Sequence, residues 1–226
     1  MKKLALACIG ALLTMSAFSV PVMAGEKVVK RVPAGAVAFH FVYDLSFVTG
    51  EFVGYVAFIE GVDGDFNGDL FNGAPSEDTA YFTFRITKPI PGQIPLPVPD
   101  IDAALTLFTP GAQATFYFNP DPQDRDWNNP ATFEQGVPIA ILDESALLNT
   151  RAQGAFPFVS FNTFSSRVIE TTPIDFNGQR IDLKKLVPNG VTITNFGNGL
   201  RFLPDGSPGA SGGGTAIAIG GNLRDN

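Results

Sequence analysis

The chain has 226 residues, with 15 lysines and arginines against 22 acidic residues and a single cysteine. Proteins that bind a phosphate backbone need a basic surface, so the net charge of −7 argues against nucleic acid or an anionic membrane as a partner. Cys8 lies in the apolar N-terminal segment. A disulfide framework, a zinc–thiolate site and a cysteine nucleophile are therefore excluded for the rest of the chain.

Residues 1–24 form a predicted signal peptide. Lys2 and Lys3 precede an apolar run that ends in small residues before Gly25, which is the order of regions in a secretory signal. The run is shorter than the ~20 residues of a membrane span. We expect cleavage after Ala24, a periplasmic or secreted location, and no integral membrane segment. Removing 24 of 226 residues leaves 202, and the loss of two lysines lowers the net charge from −7 to −9.

Residues 25–226 are predicted to form one all-β domain. Short β-type runs bounded by Gly, Pro, Asn and Asp recur throughout, whereas helical periodicity is nearly absent. Ala36–Asp44 and Glu51–Glu60 read as a hairpin, and Asn177-Gly178 is a two-residue hairpin signal between Ile174–Phe176 and Gln179–Leu183. About a dozen short strands favour a single antiparallel sandwich or barrel. The other expected strands are Ala80–Thr87, Ala103–Thr109, Ala112–Phe118, Val137–Leu142, Phe158–Asn162, Arg167–Thr172, Val191–Phe196, Leu200–Leu203 and Thr215–Ile219.

The remaining segments are predicted to be short helices and loops. Pro130–Gln135 and Glu144–Asn149 each follow a helix-capping residue and read as short helices. Five prolines in residues 88–100 predict an extended Pro-rich loop. Residues 204–214 are rich in Gly, Ser and Pro, which predicts a mobile loop before a last strand.

The segment after Val62 resembles the first half of an EF-hand calcium loop. The oxygen donors at its alternate positions are Asp63, Asp65 and Asn67. Calcium takes six to eight oxygen ligands, and such a spacing turns successive oxygens toward one point. The resemblance implies that Asp69 contributes its main-chain carbonyl. The family's final glutamate is replaced by Ala74, so Glu77 or Asp78 must complete the predicted Ca²⁺ site.

A second segment repeats this pattern. Asp124, Asp126 and Asn128 alternate as oxygen donors around an aromatic residue, so we expect a second calcium loop there. The same residue types are preferred in ordinary turns, which is the alternative for both segments.

A serine-hydrolase pattern is also present. Ser211 lies in a G-x-S-x-G sequence, and the only histidine, His40, lies far upstream. The order of histidine before serine in an all-β chain is similar to that of the chymotrypsin-like serine proteases. The resemblance implies Ser211 as nucleophile and His40 as base, although Ala210 replaces the aspartate of that family's serine motif. The alternative is that His40 is an ordinary strand residue with one hydrogen bond.

The aromatic composition is dominated by phenylalanine, with 21 Phe against 4 Tyr and 1 Trp. Phenylalanine offers only apolar surface. In alternating strands it either fills a core or lines a barrel cavity for an apolar ligand.

Three functions are compatible with these patterns. The leading hypothesis is an exported calcium-binding protein with a non-catalytic structural or binding role in the envelope or exterior. The second is an apolar small-molecule carrier, or a cyclase-like enzyme, with a Phe-lined barrel cavity. The third is the serine hydrolase. Whether the protein is an enzyme stays open, and the expected partner is another protein or an apolar small molecule.

The calcium hypothesis predicts that calcium stabilises the folded protein. Calcium at tenfold its dissociation constant adds roughly 1.4 kcal/mol, so Tm should rise in millimolar calcium and fall in chelator. Asp65→Ala should remove most of the response and Asp126→Ala a smaller part. Identical melting curves in calcium and chelator would show that both segments are ordinary turns.

Overall fold

The computed structural model describes residues 27–46, 49–62, 68–86, 92–98, 101–107, 112–152, 160–203 and 206–220. Within these ranges there are thirteen strands, a 3-10 helix at Pro130–Glu134 and an α-helix, α1, at Leu183–Leu186. The strands are β1 (Lys27–Val28), β2 (Val37–Ser46), β3 (Phe52–Ile59), β4 (Phe82–Ile86), β5 (Gly92–Val98), β6 (Ile101–Leu107), β7 (Gln113–Phe118), β8 (Val137–Ala152), β9 (Ser160–Thr171), β10 (Ile174–Phe176), β11 (Gln179–Ile181), β12 (Val191–Phe202) and β13 (Pro208–Ala218).

Eight antiparallel strands close into a barrel in the order β2-β3-β4-β7-β8-β9-β12-β13, and β13 pairs back to β2. Strand β8 closes the ring because it pairs with β7 and also with β9. Its second half pairs in addition with β6, so the β5–β6 hairpin extends the sheet beyond the barrel. The all-β barrel prediction is confirmed. The barrel uses eight strands, however, and several are long, with 16 residues in β8.

Several local predictions are confirmed. β2 and β3 pair as the predicted hairpin. Asn177 and Gly178 both have positive φ, 49° and 72°, as a tight hairpin turn requires, and they join β10 to β11. The predicted helix after Asn129 is the 3-10 helix Pro130–Glu134.

Three predictions about irregular segments are wrong. Glu144–Asn149 is part of β8 and not a helix. In the predicted loop 88–100, Gly92–Val98 forms β5, which pairs with β6 and is the edge strand of the described sheet. In a strand, the N–H groups of alternate residues point to the same edge. Prolines at alternate positions therefore remove N–H groups from one edge of β5 and leave the hydrogen bonds of the other edge, to β6, intact. In the predicted loop 204–214, the part from Pro208 onward belongs to β13.

Phenylalanine rings fill the barrel. Of the phenylalanines in the predicted strands, Phe39, Phe41, Phe82, Phe84 and Phe116 are buried, and Phe118 is partly buried against the core. Phe161 is an exception, with 55% of its surface exposed on the outside of β9. Phe158 lies outside the described residues.

The glycines of β13 make room for these rings. A Cβ at Gly214 would overlap the ring of Phe41 and lie 2.7 Å from Cβ of Asn195. A Cβ at Gly212 would lie 2.8 Å from the Tyr43 hydroxyl. The glycine run is therefore a strand whose inner face must stay bare, because bulky side chains of β2 and β12 occupy that space.

One end of the barrel is plugged by the segment between β9 and β12, and we call this the plugged end. Phe176 of β10 packs against Tyr81, Phe82 and Phe118, with ring centroids 5.1, 5.2 and 5.7 Å away. Helix α1 follows and buries Leu183 and Leu186; it is capped by Asp182, whose side chain accepts hydrogen bonds from two main-chain N–H groups.

Gly214→Ala should destabilise the barrel because the new methyl group meets two packed side chains. Overpacking of this kind costs about 1–3 kcal/mol. Gly213→Ala is the matched control, since its Cβ would approach only the Phe41 carbonyl oxygen, at 3.4 Å, and it should change stability by about 0.5 kcal/mol or less. Urea unfolding measures both. Equal losses in the two variants would contradict the described inner face of β13.

Candidate functional site

A small cavity lies at the other end of the barrel, which we call the cavity end. Strand β4 runs from the plugged end to the cavity end: Phe82, at its start, contacts Phe176 of the plug, and Ile86, at its end, lines the cavity. The centre of a water molecule can occupy about 20 Å³ of the cavity. The cavity therefore has room for about one water molecule. The packed rings thus leave a narrow space and not a wide channel.

The wall of the cavity is almost entirely apolar. Most of it is formed by Phe39, Phe41, Phe52, Phe84, Phe116 and Phe164. Phe84 is central, since its ring centroid lies 5.6 Å from those of Phe41, Phe52 and Phe116. Aliphatic side chains of four strands complete the wall, together with one polar residue, Glu144.

Glu144 is the one ionisable residue among the described residues of that wall. It follows Ala140 and Leu142 on the inner face of β8 and is 8% exposed. The Ser166 hydroxyl, opposite it on β9, donates a hydrogen bond of 2.7 Å to Oε2. Oε1 is buried and has no hydrogen-bond partner among the described residues. An unpaired buried oxygen costs about 1–3 kcal/mol, so its presence calls for an explanation.

Burial keeps the Glu144 carboxyl neutral at pH 7. Burial raises its pKa to about 8, the negative charge of Asp143 acts in the same direction, and the Ser166 hydrogen bond opposes both. No cation is among the cavity-lining residues that the structure describes. Arg167 is 70% exposed and lies 3.7 Å from the Asp143 carboxylate. The site is therefore a neutral carboxyl group in an apolar wall.

Polar side chains of β2, β9 and β12 form a second buried cluster. Oδ1 of Asn195 accepts hydrogen bonds from Asn162 Nδ2 at 2.6 Å and from the Tyr43 hydroxyl at 3.3 Å. Burial, and secondarily the charge of Asp44, raises the pKa of Tyr43, so its proton stays in place. These side chains bond to one another and stabilise the interior.

The structure does not bring Ser211 and His40 together, as the serine-hydrolase prediction requires. Ser211 Oγ donates a hydrogen bond of 2.6 Å to Asp44 Oδ1. Nδ1 of His40 lies 2.9 Å from Oγ1 of Thr215, which is four residues beyond Ser211 on β13. At ~3.4 Å per residue the serine and the histidine are offset by roughly 14 Å along the strands, too far for a base to activate a hydroxyl.

The first predicted calcium loop is only partly within the described residues. Asp63, Asp65 and Asn67 lie outside them. Of the other expected ligands, Asp69 is exposed and Glu77 half-buried. Within the described ranges, no three His, Cys, Asp or Glu side chains are close enough to hold a metal ion. Calcium at this loop stays a prediction.

In the second loop, a hydrogen bond accounts for the position of the Asp126 side chain. Oδ1 of Asp126 accepts from the main-chain N–H of Asn128 at 2.8 Å, which is an Asx turn. Asp124 has a φ of 56°. The buried Arg125 side chain donates to the carbonyls of Glu77 and Ala80 at 2.6 Å. Calcium binding by Asp124, Asp126 and Asn128 also stays a prediction.

Sequence reasoning missed Glu144 and Ser166 as site residues. A signal for Glu144 was present, since it continues the alternation of Ala140 and Leu142 and is acidic among apolar residues. Reading Glu144–Asn149 as a helix concealed it. Ser166 carried no signal, because only the pairing of β8 with β9 brings it to Glu144.

Comparison with known proteins gives no functional information: no family model matches the chain, and neither a curated protein nor a solved structure is significantly similar to it. Among the helices in the described part of the chain, none is long and apolar enough to cross a membrane.

Glu144 should make stability depend on pH. The unfolded chain ionises this group near pH 4.5, whereas the folded chain holds the proton to about pH 8. The folded state binds more protons between those values, so this group's contribution falls as pH rises through that window. Glu144→Gln stays neutral and should therefore gain unfolding free energy relative to the native chain between pH 5 and pH 8.

Glu170→Gln is the control for this measurement, because Glu170 is exposed on β9. Denaturant unfolding at both pH values gives the differences. A Glu144→Gln difference that is the same at pH 5 and pH 8 would mean that Glu144 ionises normally in the folded protein.

Proposed function

We propose that the protein is an exported binder of a small apolar molecule that carries one neutral hydrogen-bonding group. The observation that carries the proposal is a Phe-lined cavity that has one ionisable residue, Glu144, among its described lining residues. Apolar pockets with a few placed polar groups are typical of small-molecule sites. Export rests on the signal-peptide pattern of residues 1–24.

The size of the cavity limits the shape of the ligand. With about 20 Å³ open to a water centre, a ligand must displace side chains near the cavity end, so a single ring or an unbranched chain fits best. Burying roughly 250 Å² of apolar surface gains about 6 kcal/mol before the cost of immobilisation. A gain of about 6 kcal/mol corresponds to roughly 40 micromolar, and the costs of binding weaken this, so we expect dissociation constants from roughly one hundred micromolar upward.

The protonation state of Glu144 determines which polar group of the ligand it can bind. A neutral carboxyl group can both donate and accept a hydrogen bond, which suits a ketone, an aldehyde or an alcohol. A carboxylate ligand would bury its charge without a cation among the lining residues, and that is costly. The proposed ligand is therefore neutral and not a fatty acid anion.

Two eight-carbon ligands test this proposal at pH 6, by displacement of an environment-sensitive apolar dye and by calorimetry. We expect 2-octanone to bind at least tenfold more tightly than octanoate. Glu144→Leu should weaken 2-octanone roughly fivefold, which corresponds to one hydrogen bond of about 1 kcal/mol. Glu144→Gln should keep most of the affinity.

Glu170→Gln is the matched control and should bind both ligands as the native chain does. If neither ligand binds the folded native protein, the cavity is a packing defect of the core and the proposal is wrong. Equal binding of both ligands would contradict the role of Glu144.

A further inference from the structure

We propose that three aromatic side chains on the outside of the barrel bind a quaternary ammonium group. They are Tyr55 on β3, Phe71 and Trp127, and we call them the outer aromatic cluster. Tyr55 lies three residues beyond Phe52, which lines the cavity, so strand alternation directs Tyr55 to the opposite face. The cluster is therefore separate from the cavity and does not depend on the function proposed for it.

The rings of the cluster are inclined to one another and do not stack. The ring centroid of Tyr55 lies 5.9 Å from that of Phe71, with 81° between the ring planes, and 6.1 Å from that of Trp127, with 48° between the planes. All three side chains are half-buried, so the cluster is accessible from solvent. A cation within about 6 Å of a ring centroid is attracted by the face of the ring, and inclined rings offer such faces as adjoining walls.

Hydrogen bonds and packing fix the turn that carries Trp127. The main-chain N–H of Asp126 donates to Thr132 Oγ1 at 3.0 Å, and the N–H of Asn129 donates to the Asp126 carbonyl at 2.8 Å. The Trp127 ring packs against that of Phe133, which is fully buried, with centroids 4.7 Å apart. Side chains that are ordered before binding reduce the entropy cost of taking up a ligand.

The segments that supply Phe71 and Trp127 are strongly acidic. Residues 68–81 and 119–135 contain seven acidic residues and one basic residue, Arg125. The carboxylate nearest to the rings is that of Glu77: burial, and secondarily the negative charge of Glu77, raises the pKa of Tyr55. This excess of negative charge favours a cationic ligand. The acidic residues are Asp69, Glu77, Asp78, Asp121, Asp124, Asp126 and Glu134.

The arginines near the cluster are matched by other groups. The buried Arg125 side chain donates to the main-chain carbonyl of Glu77, and its own main-chain N–H donates to Asp78 Oδ1, both at 2.6 Å. Arg85 of β4 is paired with Glu51 and with the glutamate that ends the 3-10 helix. None of the ion pairs among the described residues involves the Glu77 carboxylate. Its charge is therefore available to a ligand.

Rings and negative charge together define the class of ligand. Aromatic faces attract a cation but accept no strong hydrogen bonds, so they cannot replace the water around a compact, strongly hydrated primary ammonium. A quaternary ammonium has no N–H groups to satisfy, and aromatic cages are its usual binding sites. An attached phosphate or carboxylate would be repelled by the acidic surroundings. The expected ligand is therefore a choline-like compound with a net positive charge.

Choline is the test ligand, and 3,3-dimethylbutanol, with carbon in place of the charged nitrogen, is its neutral counterpart. Trp127 is the only tryptophan of the chain, so its fluorescence reports binding at the cluster, and calorimetry gives an independent measurement. We expect choline to bind with a dissociation constant on the order of one millimolar and roughly fivefold or more tightly than the alcohol. A chelator in all titrations prevents calcium from contributing.

Two pairs of variants separate the ring from the charge. Tyr55→Leu removes an aromatic face and should weaken choline roughly fivefold, whereas Tyr55→Phe keeps the ring and should retain most of the affinity. Glu77→Gln should weaken choline roughly threefold and leave the alcohol unchanged, since a mere change in packing would affect both ligands. Glu170→Gln, exposed on β9, is the matched control and should bind as the native chain does.

The inference would be overturned by equal binding of choline and 3,3-dimethylbutanol, or by no binding of choline to the folded native protein. Tighter binding of phosphocholine than of choline would contradict the predicted preference for a cation. Full choline affinity in both Tyr55→Leu and Glu77→Gln would place the binding elsewhere and overturn the role of the cluster. None of these outcomes bears on ligand binding in the cavity, which is measured with 2-octanone.

Discussion

The interior width of a closed eight-stranded barrel is set by the number and stagger of its strands, and side chains must fill it. In this protein the filling comes from phenylalanine rings on β2, β4 and β7. The facing strand β13 has to be nearly bare, as Gly212 and Gly214 show, because rings from β2 already occupy the space. The large phenylalanine rings and the glycine run therefore depend on each other, because the rings fill the space that the glycines leave open.

The two ends of the barrel are built differently. At the plugged end, Phe176 and helix α1 extend the hydrophobic core with aromatic contacts and a capped turn. At the cavity end, a carboxyl group replaces an apolar side chain, and one of its oxygens has no hydrogen-bond partner among the described residues. The first arrangement stabilises the fold, whereas the second costs free energy. This difference is why we assign function to the cavity end.

Local sequence signals predicted local structure well and long-range structure poorly. Asn177-Gly178 specified a hairpin because two adjacent residues must adopt positive φ there. Glu144 was mistaken for part of a helix because the apolar alternation before it is short, beginning at Ala140. Bulges also interrupt the pairing of β8 with β9 on both sides of this residue. The glycines of β13 were mistaken for a loop, since their strand conformation depends on hydrogen bonds to β2 and β12.

The sequence by itself determined the all-β class, the hairpins and the apolar character of the interior, because turn dihedrals and period-two alternation are properties of neighbouring residues. Only the tertiary structure decided that β8 meets β9 and closes the barrel. That pairing brings Ser166 to Glu144, and the register of β2 with β13 keeps His40 away from Ser211. Contacts between residues far apart in the chain depend on which strands pair, whereas a local turn fixes the register only within its own hairpin.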